Sequence, residues 1–306
     1  MKAFYAEGLL FLCYNCIMKT LREYIADARE RKVAIGHFNF SNLEGLYAIA
    51  RSARTLNVPV IVGLSEGEQE AIGTRQAVAL VKTIREGWNI PIFLNADHHY
   101  SFGSVKDAID AGFDAVIYDG AAHPFQENVK VAKECVDYAR EVTKSTGRDI
   151  IVEVELGYIG EGSKLRDAIP EGVAVITNAQ DAKDFIANTG ADMLAPAVGT
   201  FHGMLKVGAK PRLNIECIRE LTLALPNTPL VLHGGSGGDV DFADAIEAGI
   251  AIVHINTEIR KAYTYALKAY MDKNPDDIAP YKYGTNASLA MEAVVTEKLK
   301  VFNRMQ

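Results

Sequence analysis

Apolar and polar positions repeat as one unit along the chain from Val33 onward. Each unit has a short apolar, β-branched run, a polar turn, and then apolar residues spaced at i, i+3 and i+4. The run predicts a buried strand, and the spacing predicts a helix packed on a sheet. Eight strands are predicted, at residues 33–40, 60–64, 92–96, 115–118, 150–156, 193–198, 230–232 and 251–255. The predicted helices include residues 21–30, capped by Thr20, and residues 43–56, 75–85, 128–143, 182–188, 215–225 and 242–247.

Strict alternation of strands and helices, with almost continuously apolar strands, predicts an α/β protein with a parallel sheet. Eight such units predict a closed (β/α)8 barrel of the TIM type, and the alternative is an open, doubly wound sheet. An apolar pattern at residues 289–299 predicts an additional C-terminal helix. Gly112, Gly190 and Gly249 follow helical segments, where a left-handed C-cap is expected to turn the chain into the next strand.

Residues 1–17 lie outside the repeating pattern. Their apolar run, residues 9–12, is too short to span a bilayer, and no small-residue cleavage pattern follows it. The regular pattern opens directly after Met18. We therefore interpret residues 1–17 as an N-terminal extension upstream of an alternative start, and residues 18–306 as a single barrel domain. A cytoplasmic location is expected.

The 306 residues are 49% hydrophobic, which is enough for one large core. The net charge of -7 argues against nucleic acid as a partner, because binding a phosphate backbone requires a basic surface. A small anionic substrate is compatible with this charge, and no membrane partner is expected. The four cysteines include no second CxxC pair, so neither a zinc knuckle nor a disulfide framework is predicted.

Polar residues that are unusual in buried strands fall at one end of the predicted barrel. In barrels of this kind the catalytic groups gather at the C-terminal ends of the strands. In strand order these residues are Asn39, Ser65, Asp97 with His98, Asp119, Glu153 with Glu155, His202, His233, and His254 with Asn256. They are expected to converge on a single mouth.

Three of these residues are histidines that only closure of the barrel can bring together. His98, His202 and His233 follow three different strands, and neutral imidazoles suit a divalent ion of the zinc type. Three protein ligands leave one coordination position open, as in catalytic zinc sites. A lone histidine at a strand end is more often structural, and His99, which points away from its neighbour in a strand, is interpreted in that way.

Glycine-rich turns are the second chemical signal. Gly203 and residues 234–237 let backbone N–H groups approach an anion, and loops after the seventh and eighth strands bind phosphate in many such barrels. Asn256 and Thr257 open the last helix at the same place, so side-chain donors and a helix N-terminus converge there. Phosphate binding is predicted, although glycine also serves tight turns that bind nothing.

Taken together, these motifs resemble the class II, zinc-dependent ketose-bisphosphate aldolases, which include fructose- and tagatose-bisphosphate enzymes. The resemblance runs from about Met18 to Phe302 and rests on residues 38–44, 63–67, 97–98, 124–128, 153–157, 199–203, 230–237 and 256–258. It implies an aldehyde-lyase that cleaves or forms a ketose (bis)phosphate, similar to fructose 1,6-bisphosphate, through the enediolate of dihydroxyacetone phosphate. It also implies a role in glycolysis and carbohydrate metabolism, and a homodimer or homotetramer.

The resemblance also implies roles for individual residues. His98, His202 and His233 bind the catalytic Zn²⁺, with Glu155 as an occasional or indirect metal contact. Asp97 handles the proton of the C4 hydroxyl, and Glu161 stands in as the base for the C3 proton. The substrate and its phosphate are bound by Asn39, Ser65, Gly203, Gly235, Ser236, His254, Asn256 and Thr257, with a monovalent cation nearby. No strand-end lysine is found for a Schiff base, which agrees with a metal-dependent mechanism.

The chain departs from the family pattern at four places. His254 stands where an Asn is usual, Ala121 and Ala122 replace a Ser-His pair, and the loop of Glu161 lacks a Glu-Asp pair. The Arg that contacts the distal phosphate has no counterpart in residues 281–286. These departures keep open a catalytically altered paralogue, which uses a different phosphosugar or binds without turnover. A metal-dependent hydrolase or isomerase on the same barrel is a third hypothesis, and the lack of an evident carboxylate pair for water activation argues against it.

Overall fold

Eight parallel strands close into a barrel in the computed structural model, which describes residues 18–160, 162–173, 175–208, 211–238 and 241–305. The barrel strands are β1 (Ile35–Asn39), β2 (Val60–Leu64), β3 (Ile92–His99), β4 (Ala115–Tyr118), β5 (Ile151–Leu156), β7 (Met193–Pro196), β9 (Leu230–Leu232) and β10 (Ile250–Ile255). Around the barrel the strand order is β1-β10-β9-β7-β5-β4-β3-β2. Two short strands, β6 (Leu165–Arg166) and β8 (Met204–Leu205), pair in a separate parallel sheet.

Helices surround the barrel and follow its strands. They are α1 (Leu21–Glu30), α2 (Leu43–Leu56), α3 (Glu66–Ile72), α4 (Thr74–Trp88), α5 (Phe102–Ala111), α6 (Phe125–Thr146), α7 (Ala179–Thr189), α8 (Ile215–Ala224), α9 (Phe242–Ala248), α10 (Thr257–Lys273) and α11 (Pro280–Phe302). The closed barrel with a C-terminal helix is confirmed, and the open doubly wound sheet is excluded.

All eight strands expected from the sequence are present, and the largest difference in their bounds is in β3. This strand continues to His99, three residues beyond its expected end. Helix α3 starts at Glu66, where the sequence pattern indicated only a turn. Its N-terminus is closed by Glu68, whose carboxylate accepts hydrogen bonds from the backbone N–H and the hydroxyl of Ser65 at 2.8 and 2.9 Å.

The expected helix ends are mostly confirmed. Thr20 caps α1 in a capping box with Glu23, so two backbone N–H groups that lack helical partners are satisfied. Gly112 and Gly190 adopt the left-handed conformation at the ends of α5 and α7. Gly249 differs: its φ of 130° with ψ near 5° is positive but lies outside the left-handed helical region.

Two apolar clusters hold the barrel together. The larger lies between the outer faces of the strands and the surrounding helices. The smaller fills the N-terminal end of the barrel interior, where side chains such as Ile35, Ile61 and Phe93 pack against Leu21 and Ile25 of α1. Because α1 closes that end, the polar residues at the opposite end face the accessible mouth.

An ion pair between a buried lysine and a half-buried glutamate connects the C-terminal helix to the mouth. Lys298 of α11 is 2% exposed, and its ammonium lies 2.9 Å from the carboxylate of Glu258 in α10. The same carboxylate accepts a hydrogen bond from the backbone N–H of Gly237, in the glycine-rich turn after β9. Helix α11 therefore supports that turn through Glu258.

Replacing Lys298 with Met is expected to lower the free energy of unfolding by about 1–3 kcal/mol, because the half-buried Glu258 carboxylate loses its charged hydrogen-bond donor. Urea denaturation followed by circular dichroism measures the loss. Lys300→Met, two residues further along the same helix, is the matched control and should change stability by less than about 1 kcal/mol. Equal effects of the two substitutions would show that the ion pair between Lys298 and Glu258 does not stabilise the fold.

Among the described residues, no helix combines the length and apolar character needed to cross a membrane. Cys135 and Cys217 are buried free thiols. Burial raises the pKa of Cys135 to about 12 and that of Cys217 to about 11, so neither is a reactive thiolate at neutral pH. Cys13, Cys16 and the expected N-terminal extension lie outside the described residues.

Candidate active site

The end of β3 brings two neighbouring side chains into the same mouth. In a regular strand, Asp97 and His98 would point to opposite faces. Between Ala96 and His99 the strand contains one residue more than its partner β4, and His98 has a left-handed φ of 48°. This bulge turns His98 to the side of Asp97, and both line a cleft at the mouth of the barrel. His99 points outward, is buried, and lies with its Nε2 2.8 Å from the amide nitrogen of Gln69.

Four side chains form a candidate metal centre on neighbouring strands and loops of the barrel. The ligand atoms of His98, Glu155, His202 and His233 all lie within 4.8 Å of one another. The ring centroid of His98 lies 4.6 Å from that of His202 and 4.8 Å from that of His233. The buried Nδ1 of His233 and Oε2 of Glu155 have no hydrogen-bond partner. Three imidazoles with one carboxylate are a donor set that fits zinc, and these unsatisfied atoms fit a bound cation.

Two acidic residues orient the histidines. Asp119 at the end of β4 lies 2.9 Å from Nδ1 of His98, and Glu153 lies 2.7 Å from Nε2 of His233. A carboxylate that accepts a hydrogen bond from one ring nitrogen fixes the tautomer of the imidazole. The other ring nitrogen is then available as a metal ligand. For His233 this leaves Nδ1 free to bind a metal, and Nδ1 is the atom that lies 3.6 Å from Glu155.

Substituting Glu153 with Gln is expected to weaken zinc binding about 10- to 100-fold, because His233 loses the carboxylate that fixes its ring. Competition with a fluorescent zinc chelator measures the affinity directly and does not depend on turnover. Glu127→Gln, on the exposed first turn of α6, is the control. An unchanged affinity in the Glu153 variant would show that His233 does not depend on this hydrogen bond.

The electrostatics of the centre favour a cation. Burial opposes protonation of His98, yet the carboxylates of Asp97, Asp119 and Glu155 outweigh it and raise the pKa of His98 to about 10. Burial and the nearby Asp119 raise the pKa of Glu155 well above its usual range. The shift of His98, and the part of the Glu155 shift that Asp119 causes, reflect an excess of negative charge around one small space.

Asp97 is held as a carboxylate beside this centre. Asn39 donates a hydrogen bond to its Oδ2 at 2.7 Å, and Nδ1 of His254 lies 3.5 Å from its Oδ1. Burial raises the pKa of Asp97, but the charge of His98 and the hydrogen bond from His254 together hold it well below its usual range. Asp97 is therefore ionised, and because it lines the cleft it can accept a proton from a group bound next to it.

Most of the residues expected to bind the substrate and its phosphate line the cleft, but not all of them do. Ser65, Gly203, Ser236, His254, Asn256 and Thr257 line the cleft. Gly235 does not line it, since its N–H donates to the carbonyl of His254. Asn39 lies behind the cleft and contacts Asp97. Glu161 lies outside the described residues.

Sequence reasoning missed His37, which lies behind the site. His37 stacks on His254 with ring centroids 3.6 Å apart and planes 3° from parallel, and burial lowers the pKa of His37 to about 4. The sequence could have indicated this position, because His37 lies two residues before Asn39 on β1 and their side chains therefore share a face of the strand. Ala121 and Ala122 lie with Asp119 and Glu155 along a smaller adjacent pocket.

Residues 19–306 match the family model described as "Fructose-bisphosphate aldolase class-II". The chain is 36% identical over 290 residues to the fructose-bisphosphate aldolase of Geobacillus stearothermophilus, and the match covers 92% of this chain and 96% of the relative. It is 34% identical over 287 residues to the fructose-bisphosphate aldolase of Staphylococcus aureus strain N315, with the same coverage.

Solved structures show the same barrel. The YdjI aldolase of Escherichia coli K12 is similar with a TM-score of 0.76 and 29% identity, over 92% of this chain and 96% of that one. The fructose-bisphosphate aldolase of Campylobacter jejuni has a TM-score of 0.77 at 18% identity, over 93% and 94% of the two chains. The second likeness concerns the fold alone.

Proposed function

The chain belongs to the class II fructose-bisphosphate aldolase family and is an aldolase lyase, and on that premise we propose that it is a zinc-dependent enzyme that cleaves and forms ketose phosphates. Its substrate is proposed to be fructose 1,6-bisphosphate or a similar ketose with phosphate at C1. The products of cleavage are dihydroxyacetone phosphate and an aldehyde.

His98, His202 and His233 are proposed to hold the zinc ion, with Glu155 as a fourth or indirect contact. The proposal is supported by the mutual proximity of their ligand atoms and by the unsatisfied Nδ1 of His233. A zinc ion bound there would supply a Lewis acid that polarises the ketone of the substrate and stabilises negative charge beside it. Asp119 and Glu153 keep two of the rings in the required tautomer.

Asp97 is proposed to take the proton of the C4 hydroxyl during cleavage and to return it to the aldehyde oxygen during condensation. Its support is its carboxylate state beside the candidate metal centre and its hydrogen bond from Asn39. Asn39 restricts Asp97 to one orientation, and His254 approaches the other carboxylate oxygen. Glu161 remains our candidate for the base that removes the C3 proton.

The C1 phosphate is proposed to bind between the loops that follow β7, β9 and β10. Gly203, Ser236, Asn256 and Thr257 line the cleft there, and Thr257 is the first residue of α10. The N-terminus of this 17-residue helix favours an anion. The Oγ of Ser236 already accepts hydrogen bonds from the backbone N–H groups of Asn256 and Glu258 at 3.2 and 3.3 Å, so its proton can be donated to a phosphate oxygen.

The observation that carries the proposal is the convergence of three histidines from three parts of the barrel with Asp97 beside them. The test is cleavage of fructose 1,6-bisphosphate, tagatose 1,6-bisphosphate and fructose 1-phosphate by the zinc-loaded protein, with product identification. Release of dihydroxyacetone phosphate from at least one of them supports the function. A metal-loaded protein that cleaves none of them, or that releases inorganic phosphate instead, would overturn it.

A second candidate is a paralogue that binds a phosphosugar without turnover. It is favoured by one observation: His254 is stacked between His37 and His233 and fills space next to Asp97. Exchange of the C3 proton of dihydroxyacetone phosphate separates the two candidates. A protein that takes up zinc and dihydroxyacetone phosphate but exchanges no C3 proton is a binder.

Family membership also supports a homodimer or homotetramer, a cytoplasmic location, a role in glycolysis and a monovalent cation near the phosphate, and we include these in the proposal. Multi-angle light scattering measures the oligomeric state. Comparison of activity in potassium and tetramethylammonium buffers tests the cation.

A further inference from the structure

His202 differs from the other two candidate metal histidines in the kind of backbone that carries it. It lies in the irregular loop between β7 and β8, whereas His98 ends a strand and His233 directly follows one. Two glycines with positive φ flank it in this loop, Gly199 at 98° and Gly203 at 95°. Because an irregular loop with glycines is easily displaced, the position of His202 depends on contacts from outside its own loop.

Those contacts come from the loop that follows β5. The backbone N–H of His202 donates a hydrogen bond to the carbonyl of Ile159 at 2.9 Å, and Ile159 is 2% exposed. The guanidinium Nε of Arg166 donates a hydrogen bond to the carbonyl of His202 at 2.8 Å. Both backbone groups of this candidate ligand are therefore bonded to one neighbouring loop.

The same two loops are joined by the short parallel sheet of β6 and β8. The carbonyl of Arg166 accepts a hydrogen bond from the backbone N–H of Lys206 at 2.8 Å, and the carbonyl of Lys164 accepts one from Met204 at 3.1 Å. The loops approach closely, since a Cβ at Gly203 would lie 2.4 Å from the carbonyl oxygen of Lys164. This pairing fixes the backbone from which the Arg166 side chain reaches the neighbouring loop.

The Arg166 guanidinium has two effects of opposite sign on a cation at the imidazole of His202. Its hydrogen bond to the carbonyl is charge-assisted, and it therefore holds the loop more strongly than a bond between neutral groups. Its positive charge, by contrast, repels the cation. Removal of Arg166 should tighten zinc binding if the charge dominates and weaken it if the hydrogen bond dominates, so the sign of the change separates the two effects.

We propose that Arg166 is a positioning residue for zinc, which keeps the imidazole of His202 directed at the ion by holding the His202 carbonyl. This inference rests on the proposed zinc site. It also couples the loop after β5 to the metal, because a contact that strengthens zinc binding must be strengthened by zinc in return.

The test uses two substitutions of Arg166 that differ in one property. Arg166→Met removes both the charge and the donor. Arg166→Gln removes the charge, but its amide nitrogen is as many bonds from Cα as Nε of arginine and can still donate to the His202 carbonyl. Lys206→Met is the matched control, since this exposed ammonium contacts Asp167 in the same pair of loops at 2.9 Å. Competition with a fluorescent chelator measures the zinc affinity without turnover.

Arg166→Met is expected to weaken zinc binding about 10- to 100-fold, the usual loss when a contact that orients a metal ligand is removed. Arg166→Gln and Lys206→Met should stay within about threefold of the unmodified protein, because the first keeps the hydrogen bond and the second loses only an exposed ion pair. The visible spectrum of the cobalt(II)-loaded protein, which depends on ligand geometry, should change in Arg166→Met alone. Thermal unfolding of the metal-free proteins should be the same for all of them.

Hydrogen exchange tests the reciprocal effect and needs no variant. Zinc should slow amide exchange in residues 162–167 of the unmodified protein, and Arg166→Met should lose most of that slowing. Exchange in these residues that zinc leaves unchanged would contradict the inference.

Unchanged or tighter zinc binding in Arg166→Met would overturn the inference alone, since the unmodified protein would still hold zinc. Equal weakening in Arg166→Met, Arg166→Gln and Lys206→Met would also overturn it, because the effect would then belong to the paired loops as a whole. An unmodified protein that binds no zinc would overturn the proposed function and the inference together.

Discussion

Asp97→Asn is expected to lower kcat/KM for ketose phosphate cleavage by about 10²- to 10⁴-fold, the usual contribution of a positioned acid or base. The amide has nearly the shape of the carboxylate, and its oxygen can still accept the hydrogen bond that Asn39 donates at 2.7 Å. It cannot take a proton from the C4 hydroxyl. A coupled assay for dihydroxyacetone phosphate measures the loss.

Two further measurements tie this loss to proton transfer at C4. Zinc content should stay near that of the unmodified protein, because Asp97 is not among the four candidate ligands that lie together. Exchange of the C3 proton of dihydroxyacetone phosphate, a step without a C4 hydroxyl, should fall far less than cleavage. Parallel losses in both reactions would instead assign Asp97 to the enediolate step or to the metal.

The second large effect is expected for His233→Ala, which should remove the zinc and lower kcat by about 10³-fold or more, since a bound metal contributes several kcal/mol to such reactions. His233 is 1% exposed and contacts Glu153 and Glu155, so its loss leaves two buried carboxylates with no imidazole between them. Elemental analysis after gel filtration measures the zinc, and a steady-state assay measures the rate.

His99→Gln is the matched control for His233→Ala. His99 is equally buried, but it points away from the cleft and contacts Gln69. Its variant should retain zinc and most of the activity. If His233→Ala bound zinc as tightly as the control, the three-histidine centre would be wrong.

The architecture could be predicted because strand and helix periodicities are local properties of the sequence. β2, β4 and β9 begin and end at the expected residues, and the alternation of units led directly to a closed barrel. The extension of β3 could not be predicted, because an extra residue in a strand is defined only by the register of its neighbour. Helix α3 carried a usable signal in the spacing of Ser65 and Glu68.

For a similar reason, the sequence indicated which residues meet at the site but not which side chains pair with one another. His98, His202 and His233 could be grouped because histidines at three strand ends of one barrel must meet. The partners Asp119 and Glu153 were visible as polar strand residues, but their pairing with particular histidines depends on side-chain geometry. The contact between Arg166 and His202 joins residues 36 positions apart, and no local pattern connects them.

The left-handed backbone at His98 destabilises the chain at a residue that the candidate metal centre requires. A non-glycine residue at a φ of 48° costs about 1–2 kcal/mol, a cost that glycine avoids. Glycine has no ligand atom, so the residue that suits the backbone here cannot serve the reaction. Replacing His98 with glycine would therefore relieve the backbone strain and remove the candidate ligand in the same step. An imidazole at the end of β3 is present at a cost in conformational stability.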